Sequence, residues 1–132
     1  MILDTHALLW LDRNDPAMGP EARRRIENAW RAGLVAASAI SFWEVAMLAE
    51  RGRVVLPVPA ERWRADWLHA GLTEIPLDGR IALLSCQLAD FHRDPADRFI
   101  VATAMDRNIP LMTADQQILD WSGKVDRVDA RA

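Results

Sequence analysis

The chain has 132 residues, 51% of them hydrophobic and 27% charged, with 16 Lys and Arg against 19 Asp and Glu for a formal charge of −3. That length and apolar content suit one domain spanning 1–132, able to bury about 70% of its unfolded surface, and exclude a disordered chain. The acidic balance excludes a basic arm that grips nucleic acid through clustered cations, leaving a metal or a local arginine patch to hold any phosphate. The lone cysteine, Cys86, lies in an apolar run. It excludes an internal disulfide and a cysteine zinc cluster, so a reducing, cytoplasmic location is expected. Met1-Ile2-Leu3-Asp4 lacks a basic leader and carries an early carboxylate, unlike a signal peptide, and no apolar run reaches the ~18 residues of a membrane span.

In chain order, residues 1–3 read as a strand, 5–11 as a short helix and 14–16 as a turn. Residues 20–31 read as a helix rich in arginine (Arg23, Arg24, Arg25, Arg31), ended by Gly33. A second strand covers 34–37. Ser41 opens a helix to about Arg51, stopped by Gly52, and a further helix over 59–70 is stopped by Gly71. Residues 72–75 form a third strand and 78–92 a helix. Asp94 as cap and Pro95 at the first position open another helix that ends near Asn108. A fourth strand covers 110–113, a short helix 115–121 and an edge strand 125–128. Strands separated by helices dictate parallel pairing, hence an α/β fold with helices on both faces of one sheet.

Four carboxylates stand out by position. Asp4 and Asp115 each follow a predicted strand, at the sheet edge where open parallel sheets bind ligands. Glu44 lies in Ile40-Ser41-Phe42-Trp43-Glu44-Val45-Ala46-Met47, a helix apolar enough to be buried all round. Asp97 opens the apolar stretch Phe99-Ile100-Val101-Ala102. Each has an ordinary alternative. Asp4 and Asp115 also suit helix N-caps, Glu44 suits a capping box with Ser41, and Asp97 suits a capping motif with Asp94. Together, strand ends and helix openings fall on one rim of a parallel sheet, so the four acids converge there. Their mutual repulsion calls for a hard dication, Mg²⁺ or Mn²⁺, and such ions at a carboxylate cleft serve phosphodiester chemistry.

The segments Leu3-Asp4-Thr5-His6-Ala7-Leu8-Leu9-Trp10, Ser41-Phe42-Trp43-Glu44-Val45-Ala46, His92-Arg93-Asp94-Pro95-Ala96-Asp97-Arg98 and Leu111-Met112-Thr113-Ala114-Asp115 occur in this order. In residues, order and spacing the chain resembles the PIN-domain ribonucleases, in particular VapC-type toxins of bacterial toxin–antitoxin pairs. The resemblance implies a three-layer α/β/α domain with a central parallel sheet. It puts the family's acidic set on Asp4, Glu44, Asp97 and Asp115, with Asp94 as the cap that positions Asp97 and Thr113 as the polar residue beside the fourth acid. It also implies an endoribonuclease dependent on Mg²⁺ or Mn²⁺. Asp4, Asp97 and Asp115 would hold the ion, and Glu44 would hold the ion or its water, for hydrolysis leaving a 5′-phosphate and a 3′-hydroxyl. A homodimer and a cognate antitoxin are the implied partners, RNA the implied substrate. The alternative is a PIN-like module that binds RNA or protein without cutting.

Other residues carry weaker signals. His6 and His92 flank the acids and are expected to be structural more often than catalytic. Arg98 suits a pair with a site carboxylate, with phosphate, or a plain surface pair. Arg23-Arg24-Arg25 reads as a solvated helix face with RNA-backbone contact as the alternative. Trp63 and Trp67, four apart on one helix face, pack on the sheet or line a groove for an antitoxin segment. Trp10 and Trp43 are expected in the core. A haloacid-dehalogenase-type phosphatase would need an acid where His6 stands. A receiver domain would need a lysine at the last strand, but the one lysine is Lys124, in Ser122-Gly123-Lys124. Glycine-rich nucleotide-binding motifs are absent.

Overall fold

A computed structural model describes residues 1–132. Five parallel strands form one sheet: β1 (Ile2–Leu3), β2 (Ala36–Ser38), β3 (Thr73–Ile75), β4 (Leu111–Thr113) and β5 (Arg127–Asp129). Their spatial order is β3-β2-β1-β4-β5. Seven helices connect them: α1 (Thr5–Arg13), α2 (Pro20–Arg31), α3 (Ala39–Glu50), α4 (Ala60–Ala70), α5 (Gly79–Ser85), α6 (Pro95–Arg107) and α7 (Gln116–Leu119). None is long and apolar enough to cross a membrane.

The strands bury both faces, so neighbouring residues feed opposite layers. Leu3, Ala37 and Met112 join a core with Leu8 and Leu9 of α1, Ile26 of α2, Val45 of α3 and Trp63 of α4. Their neighbours Ile2, Ala36 and Leu111 join a second core with Ile81 of α5, Ile100 and Val101 of α6, and Ile118 of α7. Two apolar layers around one parallel sheet make the three-layer α/β/α arrangement expected from the sequence.

The strand order fixes where a ligand can sit. From β1 the sheet grows one way to β2 and β3 and the other way to β4 and β5. The crevice at the carboxyl ends of β1 and β4 is therefore the topological switch point. Leu3 pairs with Met112 and with Ala37. The residues that follow, Asp4, Thr113 and Ser38, stand side by side at that crevice.

Several local expectations need correction. Helix α3 starts at Ala39 with Ser38 as its cap, the Ser38 hydroxyl accepting from the Ile40 N–H at 3.2 Å. Ser41 is thus inside the helix, and the Ser41–Glu44 capping box does not form. Nor is α3 buried all round, since only Ser41 and Val45 are fully buried and Trp43 is 54% exposed. Ser41 and Val45 are four apart and face the core, whereas Trp43 lies about 200° around the helix from Val45, away from it. The expectation of a core Trp43 fails for that reason; Trp10 is partly buried against the first core.

The helix expected over 78–92 ends at Ser85. The Arg98 guanidinium donates to the carbonyls of Ser85 (3.0 Å), Leu88 (3.2 Å), Phe91 (3.0 Å) and His92 (3.0 Å). Carbonyls that would otherwise need helical partners are satisfied by one side chain from α6. The Trp121 indole donates to Ala89 O at 2.8 Å and pins the same segment. Arg98 therefore serves the loop that carries His92, not a carboxylate or a phosphate.

Candidate active site

Asp4 caps α1, its Oδ1 accepting from the Ala7 N–H at 2.7 Å. The Thr113 hydroxyl donates to its Oδ2 and accepts from the Asp115 N–H at 3.0 Å. One hydroxyl thus fixes the spacing between the ends of β1 and β4. Asp4 is only 4% exposed, and burial pushes its carboxyl up, against the opposing pull of the Thr113 and Ala7 hydrogen bonds. Asp115 caps α7 through the Gln117 N–H at 2.8 Å. The N-cap readings of Asp4 and Asp115 are both correct, and neither keeps the residue from the crevice.

Asp97 sits in the first turn of α6, where Asp94 accepts its N–H at 3.2 Å. Its carboxyl is pushed up to about 8, first by burial and then by the charges of Asp94, Asp115, Asp4 and Glu44. The other three acids singled out in the sequence therefore all lie within electrostatic reach of Asp97. The tightest group is a subset of them with an added residue. Ligand atoms of His92, Asp97 and Asp115 all lie within 4.8 Å of one another. His92 Nε2 is 3.4 Å from Asp97 Oδ2 and 3.9 Å from Asp115 Oδ2. Asp4 and Glu44 stand outside that trio.

Glu44 is the unexplained acid. With Ser38 as cap, it lies beyond the first turn of α3, and its buried Oε1 has no hydrogen-bond partner. Beside it in the fold, the Thr5 hydroxyl donates to Ser41 Oγ at 3.0 Å, a buried contact tying the start of α1 to α3. No sequence signal marks that pair, because 36 residues separate its members. His92 was visible as a residue five positions before Asp97, but nothing local distinguishes it from a structural histidine. His6 is exposed on α1 and makes no side-chain hydrogen bond, though its charge favours ionised Asp4.

Residues 1–123 match the PIN domain family. The chain belongs to the PIN-domain family. As a PIN domain it is 31% identical to Ribonuclease VapC22 of Mycobacterium tuberculosis over 119 residues, 89% of this chain and 88% of that protein. Its fold is similar to that of a toxin–antitoxin complex from Klebsiella pneumoniae (TM-score 0.66, 23% identity, 98% of this chain and 96% of that one). VapBC2 from Rickettsia felis, bound to a DNA fragment from its promoter, gives a TM-score of 0.70 at 13% identity, covering 97% and 98%. The VapC-type resemblance read from the four sequence segments thus agrees with the family and with the relative, and the neighbours share the fold.

Proposed function

We propose that the chain is a VapC-type toxin, an endoribonuclease that hydrolyses RNA phosphodiester bonds at the acidic crevice with Mg²⁺ or Mn²⁺ bound, and that a cognate antitoxin restrains it. The observation that carries this reading is the convergence of His92, Asp97 and Asp115, whose ligand atoms all lie within 4.8 Å of one another at the switch-point crevice. Burial and four neighbouring carboxylates push the Asp97 carboxyl up to about 8, which makes the crevice a place where a bound cation is favoured. The donor set fits a hard dication: carboxylate oxygens from Asp97 and Asp115, with Asp4 and Glu44 near enough to act on Asp97 by charge and the Oε1 of Glu44 without a partner. When bound, the ion supplies Lewis acidity toward the phosphate and toward the water that attacks it.

The chain's own residues do the positioning. Asp97 and Asp115 stand at helix N-termini, where backbone N–H groups favour ionised carboxylates. Thr113 holds Asp4 and the Asp115 backbone in register. To hold a cation Asp97 would have to be ionised, which would link binding to pH. Two of the three arginines in the α2 run are engaged within the chain, which leaves Arg25 as its exposed cation. Arg23 is bonded to Asn14 and to the Asp15 carbonyl, and Arg24 to Glu21.

An antitoxin partner finds support away from the crevice. Trp30, Trp67, Leu11 and Ile26 line an open apolar pocket of about 360 Å³. Trp63 of the same helix is buried, so the two α4 tryptophans divide between core and pocket. A homodimer belongs to the same reading and is checked by light scattering with and without antitoxin.

The deciding experiment compares cleavage of labelled RNA by wild type and Asp97→Asn in Mg²⁺, in Mn²⁺ and in EDTA. Cleavage is expected only for wild type with a dication. Cleavage that persists in Asp97→Asn would refute this site. RNA bound but uncut under every condition would make the chain a non-cutting module.

A further inference from the structure

We propose that His92 is a ligand of the cation this site binds, and that its ring nitrogen tilts the site toward a transition-series dication over Mg²⁺. The inference rests on the crevice being a cation site and goes beyond that reading in the nitrogen donor and the selectivity it brings.

Three observations carry it. First, His92 Nε2 is buried and makes no hydrogen bond, although Asp97 Oδ2 lies 3.4 Å away and Asp115 Oδ2 3.9 Å away. A protonated ring serving only to neutralise those acids would aim an N–H along one of these vectors. Here the contacts are ionic in distance without being directional. Second, the spacing suits a shared ion. Metal–ligand bonds of about 2.1 Å in an octahedron set neighbouring donors about 3 Å apart and opposite ones about 4.2 Å apart.

Third, the ring is held in place before anything binds. Arg98 grips the His92 carbonyl and its neighbours, and the imidazole lies against Phe91 at 4.4 Å between centroids. Phe91 in turn meets Trp121 edge-on at 5.2 Å and carries the Arg98 guanidinium at 5.7 Å. A mobile surface histidine has no such support; a ligand needs it. Mg²⁺ prefers oxygen and exchanges it reluctantly for nitrogen, whereas imidazole suits ions of the transition series.

The test uses the full chain with Mn²⁺ as probe. Pulsed electron paramagnetic resonance of bound Mn²⁺ is expected to show nitrogen modulation that changes when histidine is ¹⁵N-labelled. That modulation disappears in His92→Gln and persists in a His6→Gln/His69→Gln variant, which assigns the signal even where His92→Gln folds poorly. By calorimetry, His92→Gln loses about tenfold or more in Mn²⁺ affinity and far less in Mg²⁺ affinity. Absence of histidine nitrogen coupling on bound Mn²⁺ overturns the proposal. So does a His92→Gln variant that binds both ions more tightly, as removal of a purely electrostatic partner would produce. RNA cleavage is scored separately. Coupling without cleavage keeps His92 as a ligand and removes the ribonuclease reading, while cleavage without coupling does the reverse.

Discussion

Helices α2 and α6 open in the same way and end in opposite electrostatic states. Each has proline at its first position and an acid in its first turn, Pro20 with Glu21 and Pro95 with Asp97. Glu21 is exposed, pairs with Arg24 at 2.6 Å, and has its carboxyl held below the usual range by that hydrogen bond. Asp97 is largely buried, faces other carboxylates, and is pushed up to about 8. The caps already differ, since Gly19 offers α2 no side-chain cap while Asp94 caps α6 and adds its charge to the push on Asp97. The rest of the chain widens the gap: an arginine one turn away for Glu21, burial and the acids at the ends of β1 and β4 and on α3 for Asp97.

The sharpest way to break this comparison is to neutralise each acid in turn. Asp97→Asn is expected to lower RNA cleavage by about two to three orders of magnitude, while raising the melting temperature of the EDTA-treated protein near pH 8, since it removes a charge that burial and like-charged neighbours oppose. A fall in melting temperature there would show that Asp97 is paired and not repelled. Next in size is Arg98→Met, which strips hydrogen bonds from four carbonyls of the segment before α6. A stability loss of about 2–4 kcal/mol is expected, read in urea, with faster amide exchange over residues 86–93 and reduced cleavage as His92 loosens. Exchange unchanged in that segment would mean the clasp is not what holds it.

Thr113→Val removes the bridge between Asp4 and the Asp115 backbone. Cleavage is expected to drop about tenfold, with a stability cost of about 1–2 kcal/mol.

The pH dependence follows from Asp97 directly. Its folded-state value lies above its unfolded one, so the stability linked to its protonation is fully present below about pH 4 and lost as pH rises through about 8. Metal-free protein should lose stability across that window in thermal melts, and Asp97→Asn should flatten the decline. Mn²⁺ affinity should climb with pH until about 8 and level off. The smallest effect belongs to Glu21→Gln, since its pair with Arg24 is exposed and screened by solvent; cleavage unaltered and a barely shifted melting curve are the expected readouts.

Much of this was legible in the residues. The short apolar strands, the glycine stops at Gly52 and Gly71 (both with positive φ), and the Asp94-Pro95 opening of α6 are local signals, and they placed the ends of α3 and α4 and the start of α6 to within a residue or two. Asp4, Asp97 and Asp115 could be picked out because strand ends and helix openings of a parallel sheet share one rim, and Glu44 because it interrupts an apolar helix, although it lies beyond that helix's first turn. Misreadings arose where a competing cap, a helix's orientation or a side chain from another element decided the outcome. Arg98 ended a helix expected to run to His92, Ser38 displaced Ser41 as the cap of α3, and the rotation of α3 put Trp43 outside.

The sequence by itself determined the alternation of strands and helices, and hence that the four carboxylates share a rim, because hydrophobic period and capping chemistry are short-range. Only the tertiary structure decided that His92 joins Asp97 and Asp115, that Glu44 is left without a hydrogen-bond partner, and that Asp97 differs from Glu21. Those outcomes depend on burial and on charges contributed by segments far apart in the chain, and neither exists until the chain has folded.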